Sequence, residues 1–254
     1  MTVDYHIHAV GHGDRKHTKN EIKPFIEKAV ELGLMEIGFA DHDWHLSDID
    51  MDNYKELRRE YSNIKIRVGL EFEYFPDQVE KIRQVIHSNN FDYTIGSVHF
   101  LGNWNFDHLD YIKEYENWTT ENFYIKYYET LLGCIETGLF NIAGHLDLVK
   151  IFNYRIDAQK ALKLANPVLD EIKNQEMVME INTAGLYKPV KEFYPSLDII
   201  KLAVEKNIPL TISSDAHRFE DVGRNNDMIR RILKDLGVKW IAGFNKGIMH
   251  ELPI

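Results

Sequence analysis

Asp4-Tyr5-His6-Ile7-His8 decides how the rest of the chain is read. In a β-strand alternate side chains share a face, so His6 and His8 point one way and apolar Ile7 the other. The strand runs straight into the polar loop Gly11-His12-Gly13-Asp14, which puts both imidazoles where a strand leaves a core. That is a usual position for a metal site. Two histidines two apart also arise by chance, and the weight of this pair comes from what recurs downstream.

Working outward, residues 20–32 carry Ile22, Phe25, Ile26, Ala29 and Val30 on one helical face, and Gly33 stops the helix. Residues 35–40 form a short apolar strand that ends at Asp41-His42-Asp43. The unit then repeats. A helix over 52–61 precedes a strand over 64–72 that ends in Glu71-Phe72-Glu73, and a helix over 78–88 precedes a strand over 92–98 that closes on His99. Residues 102–110 read as a long loop. A helix over 120–137 leads to an apolar stretch, 140–144, that delivers His145-Leu146-Asp147. After a helix over 157–174, a strand over 177–182 and a helix over 197–206, the strand 209–212 runs into Ser213-Ser214-Asp215-Ala216-His217. A helix over 220–236 and a weak strand over 240–243 follow.

Strands alternating with helices predict an α/β fold on a parallel sheet of seven strong strands, with an eighth in doubt. A barrel brings every strand end to one rim and explains why so many ends carry ligand-type residues. No glycine-rich nucleotide loop follows the first strand. A chain of 254 residues, 44% hydrophobic, suits one domain over 1–254.

Acidic residues outnumber basic ones by 40 to 30, and the net charge of −10 opposes a nucleic-acid partner. The lone cysteine, Cys134, excludes an internal disulfide and suits a reducing, cytoplasmic location. No apolar leader precedes Asp4 and no run of about 18 apolar residues occurs, so neither export nor membrane insertion is expected. The aromatic positions of 120–137 read as core or as an interface between copies, which leaves a homo-oligomer open.

The strand ends collect His6, His8, His42, Glu71, His99, His145, Asp215 and His217. Imidazole with carboxylate suits zinc, iron or manganese, and the set exceeds what one ion can use. Two or three ions are implied. A carboxylate such as Glu71 can span two of them, and clustered ions about 3.5–4 Å apart can activate water against a phosphoryl group. Asp41 reads as a residue that orients a neighbouring ligand or protonates a leaving alkoxide. Glu73 and Asp147 are assigned to solvent or substrate alike, and His87 and His250 to the surface.

Seven motifs, in order, resemble those of the PHP (polymerase and histidinol phosphatase) metal-dependent phosphoesterases, histidinol-phosphate phosphatase branch. They are His6-x-His8, Ala40-Asp41-His42, Gly69-Leu70-Glu71, Gly96-Ser97-Val98-His99-Phe100, Gly144-His145, the stretch from Glu180 through Asn182-Thr183-Ala184-Gly185 to Leu186, and Ser214-Asp215-Ala216-His217. The resemblance runs from Asp4 to about Arg224. It implies a distorted (βα)7 barrel, similar to a TIM barrel, with three divalent ions at the C-terminal rim of the strands. Nine ligands are implied. The ninth is a first-loop histidine, for which His17 is preferred by its distance from Ala29, with His12 as rival or as a neighbour of the substrate. Asp215 and His217 are thereby both ligands and catalytic residues, with Asp41 beside them.

The implied reaction is hydrolysis of a small phosphate monoester by a metal-bridging hydroxide: L-histidinol phosphate to L-histidinol and phosphate, in histidine biosynthesis. Arg218 is the candidate cation for the phosphoryl oxygens. The chain departs from the family pattern at Tyr187, where histidinol phosphatases often carry a phosphate-holding arginine, and Lys188 can substitute only as a point charge. Trp104, with His45, Asp107 and His108, is placed on rim loops facing an imidazole-bearing substrate. The rival readings are a related esterase or phosphodiesterase on another phosphate ester, an amidohydrolase-type barrel, and a metal-binding barrel without turnover. Amidohydrolases bridge ions through a modified lysine at a strand end, where this chain has His99, and a barrel without turnover is expected to have lost ligands.

Overall fold

The computed structural model describes residues 3–254. The strands are β1 (Val3–Asp4), β2 (Glu36–Phe39), β3 (Lys65–Glu73), β4 (Tyr93–Ser97), β5 (Phe100–Leu101), β6 (Trp104–Asn105), β7 (Ile142–Ala143), β8 (Val178–Asn182), β9 (Leu210–Ser213), β10 (Trp240–Asn245) and β11 (Ile248–Pro253). The helices are α1 (Lys19–Glu31), α2 (Met51–Glu60), α3 (Val79–Ser88), α4 (Thr120–Glu136), α5 (Ala158–Asn174), α6 (Leu197–Glu205) and α7 (Asn226–Asp235). The seven strong strands read from the sequence form one sheet in the order β1-β2-β3-β4-β7-β8-β9. The two ends of that order meet, because Tyr5 N–H donates to Ile212 O at 3.2 Å and Ile7 bridges Ala216 in parallel. The expected barrel architecture is therefore the observed one.

Two compact units make up the chain. The first comprises residues 1–72, 89–95 and 210–254, the second 73–88 and 96–209. In the first unit β1 pairs with β2 and β2 with β3, all parallel. Thr18 caps α1 by accepting from Glu21 N–H, and the apolar face predicted for it, Ile22, Phe25, Ile26 and Ala29, is buried. That face joins Ile37, Phe39, Tyr54 and Leu57 in one apolar cluster. Each such large side chain contributes about 1.5–3 kcal/mol on burial. Below the strand ends Tyr93 fills the interior, its hydroxyl donating to Tyr5 O at 2.9 Å. Gly69 makes this possible, since a Cβ there would lie 2.7 Å from the Tyr93 ring.

In the second unit β7 pairs with β8 in parallel. The aromatic positions of α4 are core, with Phe123, Tyr124, Tyr127 and Tyr128 all buried. The predicted loop over 102–110 instead begins with a β5–β6 hairpin and leads into a 3-10 segment, Leu109–Asn117. A two-strand hairpin of such short strands leaves no alternation long enough to be read. The eighth, doubtful strand is β10, and it pairs antiparallel with β11, which the sequence reading missed. The predicted helix 220–236 starts later, at α7, because Gly223 and Asn225 take positive φ (64° and 58°) and break the helical run.

Candidate metal centre

In the first unit the strand ends bring six predicted ligands together. His6 and His8 follow β1, His42 follows β2, Glu71 lies near the end of β3, and Asp215 and His217 follow β9. Glu71 Oε2 lies 3.2 Å from His6 Nε2, 3.7 Å from His8 Nε2 and 2.8 Å from His42 Nδ1. Asp215 Oδ1 lies 3.2 Å from His8 Nε2 and 3.7 Å from His217 Nδ1. Two triads, His6–His8–Glu71 and His8–His42–His217, have ligand atoms close enough to share an ion. Asp215 is held at φ 54°, a left-handed backbone that a non-glycine residue adopts only under constraint from its surroundings.

The electrostatics suit a cation. Burial, reinforced by the neighbouring His217 and His42, holds the His8 pKa well below the usual histidine value, so the ring is neutral. Burial also lowers His217 and His17. At Asp215 burial opposes ionisation, but His6, His8 and His217 outweigh it and hold the carboxyl well below its usual range. Neutral imidazole and ionised carboxylate are the forms that bind metal. His8 Nδ1 and the Nε2 atoms of His17 and His217 are buried and meet no hydrogen-bond partner among the described residues. Such atoms are costly unless something outside the chain satisfies them. The residues therefore fit a bound divalent ion.

The two first-loop histidines part company. His17 accepts from Asp50 N–H on Nδ1 at 3.0 Å and packs edge-on against Tyr54 at 4.8 Å, outside both triads. His12 is exposed, and its ring lies 4.2 Å from that of His217. Asp41 accepts from Val10 N–H at 2.7 Å, and burial raises its pKa to about 7. Arg218 is 73% exposed and paired with Glu220 at 3.3 Å.

The second unit holds the other two predicted ligands as a pair. His99 Nε2 and His145 Nε2 converge to 3.1 Å with their rings edge-to-face. Glu73, buried rather than facing solvent, lies 2.6 Å from His99 Nδ1 and accepts from His99 N–H at 3.0 Å, which leaves Nε2 for an ion. Glu180 accepts from His145 N–H at 2.5 Å, and Tyr127 donates to His145 O at 3.2 Å. Asp147 is likewise buried, against Lys150 at 2.8 Å. Sequence reasoning missed these supporting roles, although Glu71-x-Glu73 was a visible signal: strand alternation puts both carboxylates on one face. Trp104 is buried among Phe106, Tyr115, Trp118 and Phe123, with its indole N–H donating to Tyr111 O at 3.2 Å. Lys188 is exposed.

The PHP domain family model matches residues 4–184. A "Probable histidinol-phosphatase" of Deinococcus radiodurans is 32% identical, over 94% of this chain and 95% of that one. The "Histidinol-phosphatase" of Lactococcus lactis is 27% identical, over 96% and 94%. Among solved structures, the histidinol phosphate phosphatase of Lactococcus lactis, complexed with zinc, L-histidinol and phosphate, superposes with a TM-score of 0.85 at 23% identity, covering 98% of each chain. A "putative histidinol phosphatase" from Listeria monocytogenes gives a TM-score of 0.75 at 23% identity, covering 89% of this chain and 99% of that one. At those identities the structural likeness is one of fold.

Proposed function

The chain belongs to the PHP-domain family, and from that premise we propose that it hydrolyses L-histidinol phosphate to L-histidinol and phosphate. The observation that carries the reading is the gathering of His6, His8, His42, Glu71, Asp215 and His217 at the strand ends of the first unit, in a chain whose curated relatives are named histidinol-phosphatases. Three divalent ions, of zinc, iron or manganese, are assigned to the nine predicted ligands, with His17 as the ninth. When bound, such ions supply an activated water and neutralise charge on the phosphoryl oxygens.

The protein's own part is to hold its donors in the required protonation state and geometry. Asp215 keeps its charge among His6, His8 and His217, and Glu71 aims one oxygen at three imidazoles at once. His217 is oriented by its own turn, with Nδ1 lying 3.1 Å from Asp215 O. In the second unit Glu73 fixes the ring of His99, so that its Nε2 converges on that of His145. Asp41, with Oδ1 held by Val10 N–H, carries the proton that the leaving alkoxide takes up. Arg218 exchanges its exposed pairing with Glu220 for a phosphoryl oxygen, and His12 lies beside His217 on the substrate side. Lys188 takes the place of the forked arginine found in other histidinol phosphatases, next to exposed Tyr187.

No helix of the described residues is long and apolar enough to cross a membrane. Together with the buried thiol of Cys134, this supports a cytoplasmic enzyme acting on a small soluble ester. Phosphate release from L-histidinol phosphate, measured with and without prior metal stripping and against a panel of other phosphate esters, tests the reading. No preference for the histidinol ester, or turnover that survives stripping, would overturn it.

A further inference from the structure

Four of the predicted site histidines and one tryptophan form a folded cluster of rings in the first unit. Trp44 stacks on His42 with centroids 4.1 Å apart and planes within 15°. His42 follows on His8 at 4.4 Å, His8 on His217 at 4.1 Å, and His217 on His12 at 4.2 Å. The four imidazoles fold back on one another, since His42 lies 6.3 Å from His217 and 6.5 Å from His12, and the cluster meets solvent at Trp44 and His12.

Trp44 is placed by its backbone. His42 caps the 3-10 turn Asp43–Asp48, whose first bond runs from His45 N–H to His42 O at 2.9 Å, and this folds residue 44 back over the ring of residue 42. One indole face is spent on His42, yet the residue remains 51% exposed. A half-exposed tryptophan is the most polarisable flat surface a protein can offer, and it favours flat or cationic partners over aliphatic ones.

We infer that the outer face of Trp44 is the surface on which the enzyme reads the ring of its substrate's leaving group, an imidazole carried on a short amino-alcohol arm. This rests on the function proposed above and adds the element of specificity. One face orders a ligand histidine, and the other accepts a ring of the same kind. The phosphoryl end then reaches past the edges of Trp44 and His42, two stacking distances inward, toward Glu71, where His42 Nδ1 meets Oε2. Discrimination against a ringless phosphate ester follows from the lost stacking.

The test compares wild type, Trp44→Tyr and Trp44→Leu on L-histidinol phosphate and on ethanolamine phosphate, with metal content measured for each protein. For the ring-bearing ester, Trp44→Leu is expected to raise KM about tenfold, the upper range for one aromatic pair, with kcat within about twofold of wild type. Its KM for ethanolamine phosphate and its metal content should not change, and Trp44→Tyr should restore most of the loss. L-histidinol should also quench wild-type tryptophan emission, and the quenching should vanish in Trp44→Tyr. Equal losses on both esters, or a fall in metal content that accounts for the loss, would reduce Trp44 to a prop for His42 and overturn the inference. So would an unchanged KM. A wild-type protein without preference for the ring-bearing ester would instead fail the proposed function, before any variant is compared.

Discussion

The first unit gathers buried charge at both ends of its strands, and the two ends treat it differently. Beneath the strands Glu36 accepts from Tyr5 O–H, from Arg67 at 2.8 and 3.1 Å, and pairs with His250 Nε2 at 2.9 Å. Arg67 also reaches Asn245 Oδ1 at 2.8 Å, and Phe244 N–H donates to Tyr5 O–H at 2.7 Å. Burial disfavours the Glu36 charge, and its bonds from Arg67, Tyr5 and His250 overcome that and hold the carboxyl below its usual range. This lower cluster is closed on itself and ties the β10–β11 hairpin to β1, β2 and β3. The upper cluster has equally buried groups, yet His8, His17 and His217 each keep a buried ring nitrogen without a hydrogen-bond partner among the described residues. Both clusters cost desolvation. One is balanced from within, the other requires something from outside.

Substitutions should separate the two ends. Asp215→Ala is expected to reduce phosphate release by about a thousandfold or more, with the circular dichroism spectrum retained; near-normal turnover would sink the role given to the upper cluster. Glu36→Ala should do the reverse. It strands Arg67 and costs about 3 kcal/mol in urea unfolding, while kcat of the surviving folded protein changes little, and an unaltered urea midpoint would show that the lower cluster is not a structural clamp.

Much of the upper end was legible because β-strands repeat every two residues and their ends share a rim. Each of His6, His8, His42, Glu71 and His217 could be placed from its distance to an apolar run. The lower end was not. His250 read as a surface residue, but it pairs with Glu36 across 214 positions of sequence, and no local pattern announces such a partner. Glu73 failed for a different reason: alternation showed which face it takes, but not that the His99 ring comes to meet it.

Glu73→Gln sharpens the comparison in the second unit. Loss of the charge behind His99 Nδ1 should weaken metal binding or turnover about 10- to 100-fold, read as metal retained after dialysis; full retention would leave Glu73 without the orienting role. Acid should act on the same contrast. In the unfolded chain the rings of His8, His17 and His217 take up protons near pH 6.5, whereas burial keeps them neutral in the folded chain to lower pH. For these rings the unfolded state therefore binds more protons below about 6.5, an effect that Asp41, raised to about 7 by burial, and Asp4, raised to about 6 by burial, offset in part. Stability of metal-free protein should fall as pH drops through that value, by up to about 1.4 kcal/mol per pH unit for each such ring. A urea midpoint that is flat between pH 7.5 and 5.5 would contradict the assignment. Arg218→Ala, the mildest change, should raise KM by no more than about fivefold, since the side chain gives up an exposed pairing; a larger rise would mean that the guanidinium is buried against substrate.

Asp4 accepts from Ser214 N–H at 2.9 Å and from Gly223 N–H at 2.8 Å, spanning 210 and 219 positions. During synthesis, then, the first two histidines leave the ribosome long before the segment that completes their surroundings. A nascent chain paused before residue 214 would carry a strand that lacks its closing neighbour, with an exposed edge open to mispairing. Closure of that edge waits until β9 and the turn at Gly223 have been made.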